Sequence, residues 1–155
     1  MREILFRAKA INRVEGREYR THYKNGDWVF GLLSKPYHDL NGYIQPAEMR
    51  NADNVDGIDV DHETLGQYTG LTDKNGVKIF EGDIFEREID DGKMKRYVVE
   101  WSRDYLGLVA REIKVKPQFV FVRTRLDFLT EEDLEVIGNA YDNPELLGGD
   151  DNAVD

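Results

Sequence analysis

The stretch TLGQYTGLTDKNGVKIFEGDI, at residues 64–84, decides the fold class of this chain. Strand-forming residues at 65–71 lead into the turn sequence Asp73-Lys74-Asn75-Gly76, and Gly82 precedes a second strand signal at 83–88. Short apolar runs separated by Asn-Gly and Gly turns are typical of antiparallel hairpins. The centre of the sequence therefore predicts β-sheet structure.

The same pattern continues on both sides of this stretch. Two helix signals, which begin at Thr130 and Pro144, each last about one turn. Since no strand–helix–strand rhythm is present, a doubly wound parallel sheet is excluded. The sequence predicts a mainly β fold, β-rich α+β at most, built as a small barrel or sandwich. The further strand signals lie at 3–8, 28–33, 94–101, 106–115, 119–125 and 134–138.

The chain is predicted to form one β domain over residues 1–147. N-terminal strands occupy 1–34 and the barrel occupies 63–147, with a long irregular excursion at 35–62 that is rich in Pro, Asn and Gly. A loop of this length is uncommon inside a compact domain and tends to be functional or mobile. The glycine-rich acidic tail at 148–155 is expected to be disordered.

Charge is segregated along the chain. The 31 acidic and 21 basic residues give a formal net charge of -10. Counted along the sequence, the net charge is +3 over 1–50, -9 over 51–92, +6 over 93–125 and -10 over 126–155. Such blocks can form an interaction surface. The favoured explanation is that strands of opposite charge pair and neutralise each other.

Composition narrows the classes of function. The chain has no Cys, which excludes disulfides, thiolate metal sites and a Cys nucleophile. No apolar run approaches the roughly 20 residues of a membrane-spanning helix, and charged residues interrupt the early apolar stretch where a secretory signal would lie. These features predict a soluble protein of a reducing compartment, the cytoplasm.

An acidic stretch at 53–63 suggests a calcium loop. Aligning Gly57 with the invariant glycine of an EF-hand places Ala52, which has no side-chain oxygen, at the first ligand position, and flanking helices are missing. The EF-hand is therefore rejected. A solvated acidic loop is favoured over a weak site for a hard cation. The acids are Asp53, Asp56, Asp59, Asp61 and Glu63.

Catalytic patterns are weak throughout the chain. Asp104, Glu112 and Lys114 resemble the acidic and Glu-x-Lys elements of metal-dependent nucleases, but Glu-x-Lys is common in a chain with 34% charged residues. The expected helices around such a sheet are missing. No Gly-x-Ser-x-Gly elbow, Walker loop or Gly-x-Gly-x-x-Gly is present. The histidines His22, His38 and His62 are isolated, so no catalytic, cofactor-binding or metal-ligating residue is predicted, and no cofactor.

A basic block at 93–125 is the candidate partner surface. Its aromatic residues, among them Tyr97, Trp101 and Tyr105, alternate with cations, and small barrels bind nucleic acid through such combinations. The favoured alternative is that the aromatic side chains are core and the cations face the acidic C-terminal block. The candidate surface residues are Lys95, Arg96, Lys114, Lys116, Arg123 and Arg125.

Four segments together resemble the YopX family of bacteriophage and prophage proteins. They are 3–8, 28–33, 64–84 and Val136 to Leu147, and they lie in the family's order. The resemblance implies a mostly β fold with an SH3-like barrel, and no catalytic or cofactor residues. The residues carried by the motifs are Gln67, Tyr68, Gly70, Gly82, Asp83, Gly138 and Asn139.

Physical arguments assign structural roles to some of these residues. Asp83 is expected to cap a turn by accepting backbone N–H bonds. Tyr68 and Trp101 are expected to lie in the barrel core with their polar tips at the surface.

The resemblance and the missing catalytic set together imply a non-enzymatic binding module inside a bacterial host cell. Its partner is expected to be a host or phage macromolecule, a protein rather than a nucleic acid. A nucleic-acid-binding barrel that uses 93–125 is the first alternative, and a metal-dependent nuclease or phosphoesterase is the second. Exposed strand edges and opposite charge blocks would also allow a homo-oligomer.

Overall fold

The computed structural model describes residues 3–11, 23–35, 46–52, 54–89, 92–113, 123–126 and 129–148. Over these residues the chain forms ten β-strands and two single-turn 3-10 helices. The strands are β1 Phe6–Ala10, β2 Trp28–Lys35, β3 Ala47–Asn51, β4 Asn54–Thr72, β5 Lys78–Phe80, β6 Asp83–Ile89, β7 Lys93–Ser102, β8 Gly107–Ile113, β9 Arg123–Arg125 and β10 Leu134–Asn139. The 3-10 helices are Glu131–Asp133 and Pro144–Leu146.

The predicted mainly β fold is confirmed. Its strands form two antiparallel sheets, which are consistent with a small barrel-like arrangement. The chain divides into two compact units, Met1–Tyr68 and Thr69–Asp155, here called the N-terminal and C-terminal units. Within the described part of the chain, no helix is long and apolar enough to cross a membrane.

The strands of the N-terminal unit pair in a closed circuit. β1 is antiparallel to β2 on one side and to β4 on the other, while β3 joins β2 to β4. Val60 of β4 shows the closure directly, because Ala10 of β1 and Ala47 of β3 both lie opposite it. Within this circuit, Trp28–Gly31 of β2 pair with β1 and Leu32–Lys35 pair with β3.

Small and medium apolar side chains fill the interior of this unit. Alternate residues of each strand point inward, as the period of two requires. Thr64 accommodates the register shift between β1 and β4, because its Oγ1 accepts the Lys9 N–H at 2.8 Å and donates to the Asp61 carbonyl. The core consists of Ala8, Ala10, Val29, Ala47, Met49, Ile58 and Val60.

The prediction of an irregular excursion at 35–62 is wrong where the structure describes it. Residues 47–51 form β3, and residues 54–62 are the first half of β4. Of the Asn and Gly residues that suggested a loop, Asn51 lies opposite Asn54 at the β3–β4 hairpin and Gly57 has a φ of +87°. Asn41 and Gly42 lie outside the described residues. Hydrogen bonds to β1 and β2, distant in sequence, sustain these strands despite their polar composition.

The C-terminal unit contains the second sheet, with strand order β10-β6-β7-β8-β9. β5 is hydrogen-bonded to β4, and Thr69 Oγ1 donates to the Ile79 carbonyl at 2.8 Å. Phe85 and Tyr97 stack in the core of this unit with ring centroids 5.4 Å apart. The core cluster is Ile79, Phe85, Tyr97, Val99, Ala110, Leu129 and Leu134.

The strand and turn signals of this half of the sequence are confirmed. The strand predicted at 83–88 is β6, and the one predicted at 94–101 is β7. One helical turn at Glu131–Asp133 precedes β10, and Pro144 begins the second 3-10 helix. Thr130, however, makes no side-chain cap. The tail beyond Gly148 and residues 114–122 lie outside the described residues.

Candidate interaction surfaces

The motif residues of two distant segments meet at one corner of the C-terminal unit. Asp83 lies opposite Asn139 where β6 pairs with β10, and the Ala140 N–H donates to the Gly82 carbonyl at 2.8 Å. Gly82 has a φ of +86°, and a Cβ at this position would lie 2.8 Å from the ring of Tyr141. This packing requires glycine, because a methyl group would collide with the ring.

Polar side chains hold this corner by bonds to the backbone. Asp83 Oδ2 accepts the Phe80 N–H at 2.7 Å, the turn-capping role expected from the sequence. Asn139 Oδ1 accepts the N–H groups of Tyr141 and Asp142. Because these carboxylate and amide oxygens are already engaged by backbone donors, the motif residues shape the fold.

The remaining motif residues lie on β4 and β10. Gln67 is opposite Phe6 of β1, and Tyr68 is buried, as expected. Gly70 has a φ of +92° in the half of β4 that leads into the Asp73 turn. Gly138 of β10 is opposite Ile84 at the motif corner. The β4 residues therefore belong to the strand that continues from one unit into the other.

Two cations of the predicted basic surface, Lys95 and Arg96, form ion pairs across their own sheet. Lys95 pairs with Glu112 at 3.2 Å, and Arg96 pairs with Glu86 at 2.8 Å. Arg111, on β8, pairs with Glu100 of β7 at 2.8 Å. Of these three pairs, Arg96–Glu86 joins the basic block to the acidic block 51–92, as the favoured explanation of the charge blocks expects, whereas the other two lie within 93–125. Their carboxylates come from β6, β7 and β8 and not from the C-terminal acidic block.

The other candidates of that surface are less fully described. Lys114 and Lys116 lie outside the described residues, and for Arg123 only the backbone is described, as the first residue of β9. Arg125 lies opposite Val109 on the same short strand. Among the described candidates, Lys95 and Arg96 are thus paired with acids of their own sheet.

The β7–β8 hairpin ends in a cluster of exposed large side chains. Trp101, Tyr105 and Leu106 are 56%, 51% and 81% exposed. The prediction that Trp101 lies in the core is therefore wrong, because it comes after Val99, the last buried apolar residue of β7. Leu106 has a φ of +50°, a left-handed conformation that is rare for a residue with a branched side chain. We call residues 101–106 the hairpin tip.

A second exposed apolar row lies on β2 in the N-terminal unit. Phe30 and Leu32 are 44% and 56% exposed, and they alternate with the inward-facing Val29. Trp28 shares their face, since strand residues two apart point the same way.

The register places a cation opposite each member of this row. Lys9 is opposite Trp28, Arg7 is opposite Phe30, and Arg50 is opposite Leu32. The Arg7 guanidinium lies 4.7 Å from the Trp28 ring centroid and the Lys9 ammonium lies 5.4 Å from it, both within the range of cation–π attraction. We call this row with its cations, including Lys35, the β2 face.

Glu48 is the buried acid of the β2 face. Its Oε2 accepts from Lys35 Nζ at 2.9 Å, and its Oε1 accepts from Ser34 Oγ at 2.8 Å and is 3.2 Å from an Arg50 nitrogen. Burial opposes ionisation of this carboxyl, but the bonds from Lys35, Ser34 and Arg50 outweigh it and lower the pKa of Glu48. One carboxylate thus holds two cations whose side chains are 58% and 51% exposed.

Comparison with known proteins now identifies the family. Residues 18–148 match the family described as YopX protein. The chain belongs to the YopX family. Protein EF1440 from Enterococcus faecalis, known from a crystal structure, is similar to this YopX-family chain with 20% sequence identity and a TM-score of 0.43, over 94% of this chain and 98% of that one. No curated protein matches the chain.

The proposed nuclease residues of this YopX-family chain are not brought together. Asp104 lies in the hairpin tip, beyond the pair Ser102–Gly107, whereas Glu112 is opposite Tyr97. Glu112 is five positions along β8 from Gly107, which corresponds to about 17 Å of β-strand. The two carboxylates cannot share one metal ion at that distance, and Glu112 is paired with Lys95.

The acidic stretch forms strand instead of the expected loop. Asp59 and Asp61 lie on β4, opposite Glu48 and Lys9. Asp61 Oδ1 accepts the Glu63 N–H at 3.1 Å. Among the described residues, no group of three or more His, Asp or Glu side chains is placed to hold a metal ion. His62 is also on β4, while His22, His38 and Asp53 lie outside the described residues.

The β2 face was missed from the sequence, although a signal was present. Trp28, Phe30 and Leu32 alternate over a predicted strand, and such alternation normally marks the inward face. The smaller alternate residues Val29 and Gly31 point inward instead, because the interior of this unit is filled by Ala, Val and Met side chains. Only the register with β1 and β3 shows which cations adjoin the exposed row.

Proposed function

We propose that this YopX-family protein is a non-enzymatic binding module whose hairpin tip docks on a protein partner. The observation that carries the proposal is the exposure of Trp101, Tyr105 and Leu106 on one short hairpin. Trp and Tyr are the residues most enriched at the energetic centres of protein interfaces. Two of the three exposed side chains are of these types, and the cluster of three on a small domain is best explained by a surface that a partner covers.

The charge of the hairpin tip favours a protein over a nucleic acid. Arg103 and Asp104 contribute one charge of each sign. At the adjoining end of the strands, Glu100 and Arg111 neutralise each other. Phosphate-binding surfaces need an excess of cations, whereas an apolar centre with a mixed polar rim is typical of protein–protein interfaces.

A non-enzymatic role is supported by the environment of the buried acids. Asp73 Oδ1 and Oδ2 accept three backbone N–H groups, and Glu48 accepts from three side chains. Both pKa values are lowered. A general base that works at neutral pH needs a pKa near 7, so these carboxylates are suited to holding structure.

The family resemblance supports the proposed partner class and compartment. Similarity to phage and prophage proteins supports action in the cytoplasm of a bacterial host, on a host or phage protein. A second copy of the chain is the other candidate occupant of the hairpin tip.

Site-specific photo-cross-linking in bacterial cells tests this proposal. A photoreactive phenylalanine analogue at Tyr105 should cross-link to one protein, while the same analogue at the exposed Met94 of β7 should not. With that partner purified, Trp101→Ala should weaken binding about 30-fold, as at an interface centre, and Met94→Ala should leave it unchanged.

Other results of these experiments would contradict or change the proposal. Equal cross-linking from both positions, or equal affinity of the Trp101→Ala and Met94→Ala variants, would show that the hairpin tip is not the docking surface. A cross-link to a second copy of the chain would replace the foreign partner by a homo-oligomer.

A further inference from the structure

The geometry of the β2 face points to a second binding activity, and we infer that this face binds single-stranded nucleic acid. The inference is independent of the hairpin tip. It rests on three neighbouring pairs of an apolar and a cationic side chain, Trp28 with Lys9, Phe30 with Arg7, and Leu32 with Arg50.

The spacing of the apolar row suits a ligand that repeats a flat apolar group and an anion. Side chains two residues apart on a strand are separated by about 7 Å. A single strand offers an exposed base and a phosphate at every nucleotide, and stacking on aromatic side chains next to a cationic track is the usual way that such strands are bound. Phe30, at 44% exposed, presents its ring in the middle of the row.

Charge near the β3 end of the face favours an anion, whereas Asp59 and Asp61 of β4 flank the face, opposite Glu48 and Lys9. Lys35 and Arg50 share the carboxylate of Glu48, so this trio has one excess positive charge. The cations are 58% and 51% exposed while Glu48 is 10% exposed, and the outer side therefore presents nitrogen donors. Arg7 is 7% exposed and lies over Trp28, so we assign it a supporting role beneath the aromatic row.

The pairing of β2 argues against an acidic peptide as the ligand. Extended peptides often bind by adding a strand to an open sheet edge. β2 is hydrogen-bonded to β1 over Trp28–Gly31 and to β3 over Leu32–Lys35, so neither of its sides offers its full length to an added strand. Recognition by the side chains of this face suits a stacking ligand. A duplex is disfavoured because its bases are already stacked and would leave the apolar row unused.

Fluorescence anisotropy with the full chain tests the inference. The probe is a fluorescein-labelled oligothymidylate of roughly 20 nucleotides, which exceeds the site size of a small barrel. Binding is expected in about 20 mM salt and should weaken as salt rises, because bound phosphates release counterions. A duplex of matched length should bind at least about ten-fold more weakly if base stacking contributes.

Variants separate stacking from charge. Phe30→Ala should weaken binding by about five-fold to a hundred-fold, and Phe30→Trp should retain it. Each phosphate contact with a single strand contributes about 0.7 to the slope of log affinity against log salt. Lys35→Gln combined with Arg50→Gln removes two such contacts and should therefore reduce that slope by about 1.4. Lys95→Gln combined with Arg96→Gln, on the ion-paired strands of the C-terminal unit, is the matched control and should bind like the parent. Circular dichroism should show that each variant is folded.

Several results would overturn the inference. No anisotropy change up to about 100 µM protein in about 20 mM salt would exclude a nucleic-acid site. Equal affinity for the duplex, or full affinity of folded Phe30→Ala, would exclude stacking on the β2 face. Binding of labelled polyglutamate without binding of oligothymidylate would assign the face to an acidic protein instead.

Discussion

The carboxylate of Asp73 accepts the backbone N–H of Val136 at 3.0 Å, although 63 residues separate them in the chain. The same carboxylate accepts the N–H groups of Asn75 and Val77 at 2.8 and 2.9 Å, and the Lys74 N–H donates to the Leu134 carbonyl. One buried side chain thus closes its own turn and attaches that turn to β10. The attachment also covers backbone groups on the outer side of β10, which would otherwise be open to strand addition.

Removing the charge of Asp73 should destabilise the protein. Asp73→Asn keeps the shape but has one acceptor oxygen in place of two, so at least one buried N–H loses its charged partner. We expect the free energy of unfolding to fall by about 2–4 kcal/mol, the range for lost hydrogen bonds to a buried charged group. Urea unfolding followed by circular dichroism measures this change. Glu132→Gln, which removes a charge from the exposed 3-10 helix, should change stability by less than about 0.5 kcal/mol. Equal stability of the two variants would contradict the role of Asp73.

Stability should decrease in acid because two buried carboxyl groups have lowered pKa values. For Asp73, burial opposes ionisation, but the backbone donors of Val136, Val77 and Asn75 outweigh it. For Glu48, the donors Lys35 and Ser34 outweigh burial in the same way. In acid the unfolded chain binds more protons than the folded one, so stability rises with pH there.

The pH window follows from the ordinary pKa values of 3.8 for Asp and 4.5 for Glu. The contribution of these groups should be complete above those values and should be lost as the pH falls through the lower, folded-state values. Urea titrations from about pH 6 down to about pH 3 measure the change. Asp73→Asn should show a shallower decline than the parent. An identical slope in both proteins would mean that Asp73 does not contribute.

Gly82→Ala should reveal the steric demand of the motif corner. The added methyl group would lie 2.8 Å from the Tyr141 ring in a backbone with positive φ. The matched control is Gly76→Ala, since Gly76 also has a positive φ of +80°, but a methyl group there would have no atom within 4 Å. Gly76→Ala should lower the free energy of unfolding by about 1 kcal/mol, because alanine disfavours the positive φ. Gly82→Ala should lower it by about 1–3 kcal/mol more, because the methyl group also overpacks the corner. Thermal or urea unfolding distinguishes them, and equal losses would rule out the contact with Tyr141 as a constraint.

The hairpin tip should be more stable without its leucine. Leu106 has a φ of +50° and is 81% exposed, so its conformation is unfavourable and its side chain gains little burial. Leu106→Asn should raise the free energy of unfolding by about 0.5–1 kcal/mol, because Asn adopts left-handed geometry more readily. The same change should weaken binding to the proposed protein partner. Tyr105→Asn, at a neighbouring exposed position with ordinary φ, should give no gain in stability. If Leu106→Asn is no more stable than the parent, the backbone at Leu106 is not strained.

Local signals in the sequence were sufficient to predict most of the strands and turns of the C-terminal unit. Asn75-Gly76 marks a turn, Gly82 marks the start of β6, and the apolar pattern of β7 gives its length. These features depend on backbone preferences of residues close in sequence, and such preferences can be read without knowing the register.

Features that depend on long-range pairing could not be read in the same way. β3 and the start of β4 contain few strand-forming residues, and their hydrogen bonds to β1 and β2 stabilise them. The ion pairing of the predicted basic surface depends on a register that brings Lys95 of β7 within reach of Glu112 on β8. Likewise, exposure of Trp101 follows from how far β7 extends past the last core residue, which composition does not reveal.

The closed circuit of the N-terminal unit sets an order of events on the ribosome. β1 emerges before β2 and β3, yet its second partner is supplied by Gly66 and Gln67 of β4. Until those residues leave the exit tunnel, β1 can pair only with β2, and the core residues Val29 and Met49 are not fully buried. Closure then joins positions far apart in sequence, which is an entropically slow step. We therefore expect the N-terminal unit to complete its circuit only after β4 has left the exit tunnel.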